Sequence, residues 1–228
     1  MTFDIVLISS GSRLRLLEQS LRSLRENASN WDQHALTLVM DGCSVMSTCG
    51  LADTIPQRVI WNIEQQGASR SRNIGASSTP KYLRKDAVMF LDDDVYCCKG
   101  WDAFNYKLDA VWSGHAHPFN QPYQVVDSTV PAEQTSVIST VHMIIPWEIW
   151  DAVGFFSEPG GPGGSEDVAW CKWATDFNYT LGVTTPQCII HTGIGSTSGK
   201  KLIGWESVMQ NNYKLEAQHD LVGKVLYE

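Results

Sequence analysis

Apolar positions along this chain recur with two periods, and their alternation predicts a run of strands and helices. Ile5-Val6-Leu7-Ile8 is a short β-rich run closed by Ser9-Ser10-Gly11-Ser12, which supplies turn and N-cap chemistry. Leu14, Leu17, Leu21 and Leu24 follow at helical spacing, with Arg13, Arg15, Arg22 and Arg25 mostly on the other face. Leu36 to Met40 reads as a second strand ending at Asp41-Gly42, and strand, helix, strand is a parallel crossover unit. Arg58 to Trp61 is a third, shorter strand. Gln65 to Ala76 leads into a helix whose mouth carries Gly67, Ser69, Arg70, Ser71 and Arg72, groups suited to holding phosphate; an exposed basic helix start would look the same.

Further along, Gly100-Trp101-Asp102 predicts the opening of a short helix, and Ser113 to Pro131 lacks periodicity and reads as an irregular segment. Thr135 to Ile145 predicts a strand, with a helix from Pro146 at its first position through Val153. The glycines between Gly160 and Gly164 lead into Ser165-Glu166-Asp167 and a helix carrying Val168, Trp170, Cys171 and Trp173. Val183 to Ile190, interrupted by Pro186, predicts a last strand that delivers His191, and Trp205 to Gln218 a terminal amphipathic helix. The pattern as a whole is α/β.

One stretch organises the rest. Ala87 to Leu91 has the length of a buried inner strand and runs straight into Asp92-Asp93-Asp94, at the strand end where open α/β sheets bind ligands. Three adjacent acids repel one another, and a divalent cation bridging to phosphate oxygens relieves that repulsion. Alternation puts Asp92 and Asp94 on one face as a metal and nucleotide-sugar site, with Asp93 turned away. A solvated acidic turn capping the next helix is the plain alternative. Glu166 and Asp167 likewise either complement a helix dipole or supply a general base over a bound acceptor. His191 is either structural or the imidazole that completes a metal shell.

Composition narrows the classes. The chain has 228 residues, 43% of them hydrophobic, with nine Trp, enough for one large domain or two small ones. A net charge of -8 and a pI near 5.2 argue against bulk electrostatic binding of nucleic acid. No stretch is apolar for long enough to cross a bilayer, and the N-terminus has no signal-peptide pattern. The six cysteines lack paired Cys-x-x-Cys spacing, so reduced thiols and a cytoplasmic setting are expected.

In this order the motifs resemble the family-two glycosyltransferases of the GT-A fold, from Phe3 to about Gly193. The residues concerned are the Ser-rich turn, Asp41-Gly42, Ser71-Arg72-Asn73-x-Gly75, Asp92 to Asp94, Val153-Gly154-Phe155-Phe156-x-Glu158, Glu166-Asp167 and His191. The resemblance implies a single compact domain with a Rossmann-like, mixed but mainly parallel sheet flanked by helices. Residues 1–95 would be its nucleotide-sugar-binding half, 96–200 its acceptor-binding and catalytic half, and 201–228 a helical tail. It implies an inverting, metal-dependent transfer from a nucleoside-diphosphate sugar, with a UDP-sugar favoured, to an acceptor hydroxyl.

Site roles follow from the same resemblance. Ser9 and Ser10 would lie against the nucleotide, Asp41 on the base edge and Arg72 on base or phosphate. Asp92 would hold ribose and share the metal, and Asp93 counts with the nucleotide-sugar-binding residues. Asp92, Asp94 and His191 would ligate Mn²⁺ or Mg²⁺. Asp167 would be the general base and Glu166 its neighbour that positions acceptor or loop. The chain departs from the family at Asp41-Gly42-Cys43, where two acids are commoner, and at Asp93, where small residues are common. The acceptor is left open among glycan, protein, lipid-linked sugar and modified nucleobase. Two rival readings stand beside this one: a nucleotidyltransferase acting on a sugar phosphate, and a non-catalytic glycan-binding module.

Overall fold

The computed structural model describes residues 1–43, 56–103, 106–117, 132–134, 138–158 and 166–191. Nine strands form one sheet in the order β3-β2-β1-β4-β8-β6-β9-β5, with β7 pairing β9. The parallel part is the expected one: β1 (Phe3–Ser9), β2 (Ala35–Asp41), β3 (Arg58–Asn62) and β4 (Ala87–Asp92) all run the same way. Their carboxyl ends therefore lie along one edge, where Ser9, Asp41 and Asp92 emerge together. On the other side of β4 the sheet turns mixed: β8 (His142–Pro146) pairs it antiparallel, and β6 (Ala110–His117) pairs β8 antiparallel and β9 (Thr180–His191) parallel. β5 (Val95–Cys97) and β7 (Ala132–Gln134) both run antiparallel to β9.

The strand residues alternate between two cores. Ile5, Leu7, Met89 and Leu91 face α1 (Leu14–Glu26), whose Leu17, Leu21 and Leu24 are fully buried. Val6, Val88 and Phe90 face the other way, toward an aromatic cluster of Trp150, Phe156 and Trp170 from α3 (Trp147–Val153), its following loop and α4 (Glu166–Asp176). This is the three-layer arrangement that a strand buried on both faces requires. α2 (Ala68–Ser77) lies on the second face, and Gly75 lets it press on the sheet, since a Cβ there would collide with the Val6 side chain. The compact unit runs from Met1 to His191. Among the described residues no helix is long and apolar enough to cross a membrane.

Several sequence expectations are corrected. Gly100-Trp101-Asp102 is a turn, because both Asp102 oxygens accept hydrogen bonds from the Ser29 and Asn30 N–H groups and the Trp101 indole donates to Leu24 O at 2.9 Å. Residues 113–117 belong to β6 rather than to an irregular segment; 118–131 lie outside the described residues. Of the strand expected from Thr135, residues 135–137 lie outside the described residues, and the described part is strand only from His142. Ile138 is held by Cys171 Sγ at 3.2 Å, and a turn at Thr140-Val141 follows, so tertiary contacts override the β-branched composition. Pro146 caps α3 instead of occupying its first turn. β9 passes through Pro186, although its register with β6 shifts between Gly114 and Ala116, next to that proline. The glycine stretch 160–164 and the helix expected at 205–218 lie outside the described residues.

Candidate active site

The acidic triplet does not behave as three equivalent residues. Asp92 is the last residue of β4, and its side chain is 27% exposed, whereas Asp93 and Asp94 sit in the tight turn before β5 and are buried. That turn is clamped from α1: the Ser20 hydroxyl donates to the Asp93 and Val95 carbonyls and accepts from Val95 N–H at 3.1 Å, while Ser23 accepts from Cys97 N–H at 3.0 Å. Asp93 lies outside the group of ligand atoms formed by Asp92, Asp94 and His191, accepts from Ser9 Oγ at 2.6 Å and from Arg13, and shares that guanidinium with Asp94, so strict alternation does not hold in the turn. Burial pushes its carboxyl up to about 6, against the pull of Arg13 and Ser9.

His191 reaches the triplet through the sheet. Antiparallel pairing of β5 with β9 sets His191 opposite Val95, the residue after Asp94, and its Nε2 lies 3.2 Å from Asp94 Oδ1. Ligand atoms of Asp92, Asp94 and His191 all fall within 4.8 Å of one another. Burial opposes charge on both His191 and Asp94, but their mutual hydrogen bond and opposite charges win, raising the imidazole and lowering the carboxyl. Arg13 Nη1 braces the other Asp94 oxygen at 3.0 Å. Two carboxylates and an imidazole suit Mn²⁺, and Mg²⁺ less well because it prefers an all-oxygen shell. The donor set thus fits the cation expected.

Across the mouth of the sheet lies the start of α4. Glu166 is buried and Asp167 half-buried. Arg72, from the second turn of α2, donates through Nη1 to Glu166 Oε1 and through Nη2 to Asp92 Oδ1, both at 2.7 Å. Burial raises the Asp167 carboxyl and the Glu166 charge adds to that, while its bond from Val168 N–H and the Arg72 charge oppose it. A carboxylate with raised basicity is what a general base requires. The next residue, Asn73, accepts from Phe156 N–H and donates to Phe156 O and Glu158 Oε1, each at 3.0 Å.

The remaining expected residues divide. Asp41 accepts from Asn62 Nδ2 at 3.1 Å and from the N–H groups of Gln66 and Gly67 at 2.8 and 2.9 Å, so it organises the entry to α2. Gly42 makes that approach possible: its φ is +80°, and a Cβ would sit 2.9 Å from Gln65 Cβ. Ser10 is not drawn into the triplet; its hydroxyl pairs with Ser12 at 2.7 Å. The structure therefore brings together Ser9, Asp93, Asp94 and His191 around Arg13, and Asp92, Glu166 and Asp167 around Arg72.

Two participants escaped the sequence reading. Arg13 was placed on the outer face of the first helix, yet it precedes that helix and turns inward; its position directly after a Ser-rich turn at a strand's carboxyl end is the usable signal. Ser20 carried no signal, being one polar residue on a helix.

Comparison with known proteins settles the architecture. No protein-family model matches the sequence, and no curated protein is similar to it. Solved structures do match. GalNAc-T7 with UDP, GalNAc and Mn²⁺ superposes with a TM-score of 0.67 over 84% of this chain at 11% identity. The fold is GT-A. The same GT-A frame is shared with a mannosyltransferase from Pyrobaculum calidifontis in complex with GDP-Man and Mn²⁺, at a TM-score of 0.67, 13% identity and 86% of this chain. It is shared too with S. aureus TarS 1-349 in complex with UDP-GlcNAc, at 0.64, 18% and 83%. The chain spans 44%, 58% and 58% of those three structures respectively, about half their length.

Proposed function

We propose that the protein is a metal-dependent glycosyltransferase that moves a sugar from a nucleoside-diphosphate sugar to an acceptor hydroxyl with inversion. The observation that carries the reading is the meeting of Asp92, Asp94 and His191, from β4, its turn and β9, at one mouth of the sheet. The GT-A neighbours support it, since they were solved with UDP and Mn²⁺, with GDP-Man and Mn²⁺, and with UDP-GlcNAc.

When bound at Asp92, Asp94 and His191, Mn²⁺ or Mg²⁺ supplies positive charge against the diphosphate. The acceptor oxygen attacks the anomeric carbon from the face opposite the diphosphate, whose bond to that carbon breaks with the electron pair leaving on phosphate oxygen. Asp167 takes the hydroxyl proton, a contribution on the order of 10² to 10⁴-fold. Glu166 positions the acceptor side, Ser9 and Ser10 lie against the nucleotide, and Asp93 and Arg72 serve the donor side by setting the charge at the turn. A UDP-sugar is favoured. A carboxylate offers about four acceptor sites, and the three bonds to Asp41 leave one, on Oδ2, matching the single N–H on the uracil edge. The free thiols of Cys43, Cys97 and Cys171 fit a reducing, cytoplasmic setting.

The experiment is release of nucleoside diphosphate from a panel of nucleotide sugars with Mn²⁺. Asp94→Ala should lower release to background, and Asp167→Asn should bind donor normally yet fail to turn over. Wild-type rates in both variants exclude the mechanism; donor binding with no release under any acceptor favours the binding-module reading instead.

A further inference from the structure

Arg72 is only 3% exposed, and its two terminal nitrogens are committed to carboxylates from different parts of the fold. Its Nε has no partner among the described residues. Two of the guanidinium's five N–H groups are thus committed within the protein, beside the contact to base or phosphate that the family resemblance implies. It joins Asp92, at the end of β4, to Glu166, ninety-four residues beyond Arg72 in sequence and the first residue of α4. Asn73 beside it fixes Phe156 and Glu158, so consecutive α2 residues grip the chain on both flanks of residues 159–165.

Resting on the function proposed above, we propose that Arg72 is a positioning residue: its planar fork sets the cation-binding carboxylate Asp92 and the acceptor-side helix start at Glu166 together. Loosening either end is then felt at the other, although Glu166 is no metal ligand. Lysine would preserve the charge but not the fork, because an ammonium is a point charge that satisfies one carboxylate at a time. Aspartate at 166 would likewise preserve the charge while withdrawing it by one methylene. Both variants keep the net electrostatics of the site, so a change in either reports geometry.

The test is binding of Mn²⁺ alone, read from the free-ion EPR signal, in wild type, Arg72→Lys, Glu166→Asp and the double variant. Each single change is expected to weaken Mn²⁺ binding about tenfold, as supporting groups behind a metal ligand do. The double variant is expected to be no weaker than either single one, because both break the same connection. Wild-type affinity in Glu166→Asp, or losses that multiply in the double variant, would overturn the proposal. Asp94→Asn is the control for the underlying reading: equal Mn²⁺ binding with and without it sinks the metal site itself. In that event urea midpoints of Asp92→Asn, Glu166→Asp and their combination, measured without metal, still decide; shifts that fail to add support the connection, and shifts that add fully refute it.

Discussion

Two arginines flank the acidic triplet, and they are built on opposite plans. Arg13 is 20% exposed and pairs with Asp93 and Asp94, each of which has a second partner, Ser9 Oγ for the one and His191 for the other. Arg72 is buried and pairs with the part-exposed Asp92, whose N–H donates to Val141 O, and with the buried Glu166, whose carboxylate has no other hydrogen-bond partner among the described residues. The Arg13 side is redundant and the Arg72 side is single. A buried carboxylate that loses its sole cation keeps an uncompensated charge, whereas one with a remaining donor does not. Stability and positioning should therefore be far more sensitive on the Arg72 side, even though both arginines make two ion pairs.

Substitutions on the two sides should differ in cost. Arg72→Met should destabilise the fold by about 3–5 kcal/mol, the range for removing one partner of a buried ion pair; urea unfolding measures it, and a loss under 1 kcal/mol would erase the contrast. Acid supplies a second probe. His142 pairs opposite Leu91, with its buried Nδ1 accepting from Gly114 N–H at 2.6 Å, and burial lowers its pKa from 6.5 to about 3. The unfolded chain thus binds a proton that the folded one refuses. This stability is complete above pH 6.5 and falls as pH drops toward 3, by about 2 kcal/mol between pH 7.5 and 5. His142→Asn should flatten that slope; an unchanged slope would assign acid sensitivity to the carboxylates around the arginines instead. Arg13→Met should cost less, about 1–2 kcal/mol, because Ser9 and His191 remain to hold the two carboxylates. Smallest is Ser20→Ala, about 1 kcal/mol by loss of a hydrogen-bonded clamp, with a measurable weakening of Mn²⁺ binding if the turn loosens.

Legibility in the sequence was uneven for physical reasons. The first four strands were readable because each is a continuous apolar run closed by turn residues, and their parallel order follows from short crossover connections. The second half pairs strands far apart in sequence: β4 with β8, and β5 with β9. No local period encodes such partners, and the β-branched Ile138 is held by Cys171 of α4 instead of joining the strand. Trp101 and Asp102 looked like a helix start because an aromatic and an acid after glycine resemble one, whereas burial of both fixed a turn.

The chain's own pattern determined that an inner strand ends in carboxylates and that a histidine ends a late strand, since both are statements about neighbours in sequence. Only the tertiary structure decided that these ends meet. His191 arrives beside Asp94 because β9 pairs backwards with β5, and Arg72 spans Asp92 and Glu166 because Gly75 lets α2 lie close on the sheet. Charge partners of buried groups are chosen by which elements pack together, and packing is a property of the whole fold rather than of any one segment.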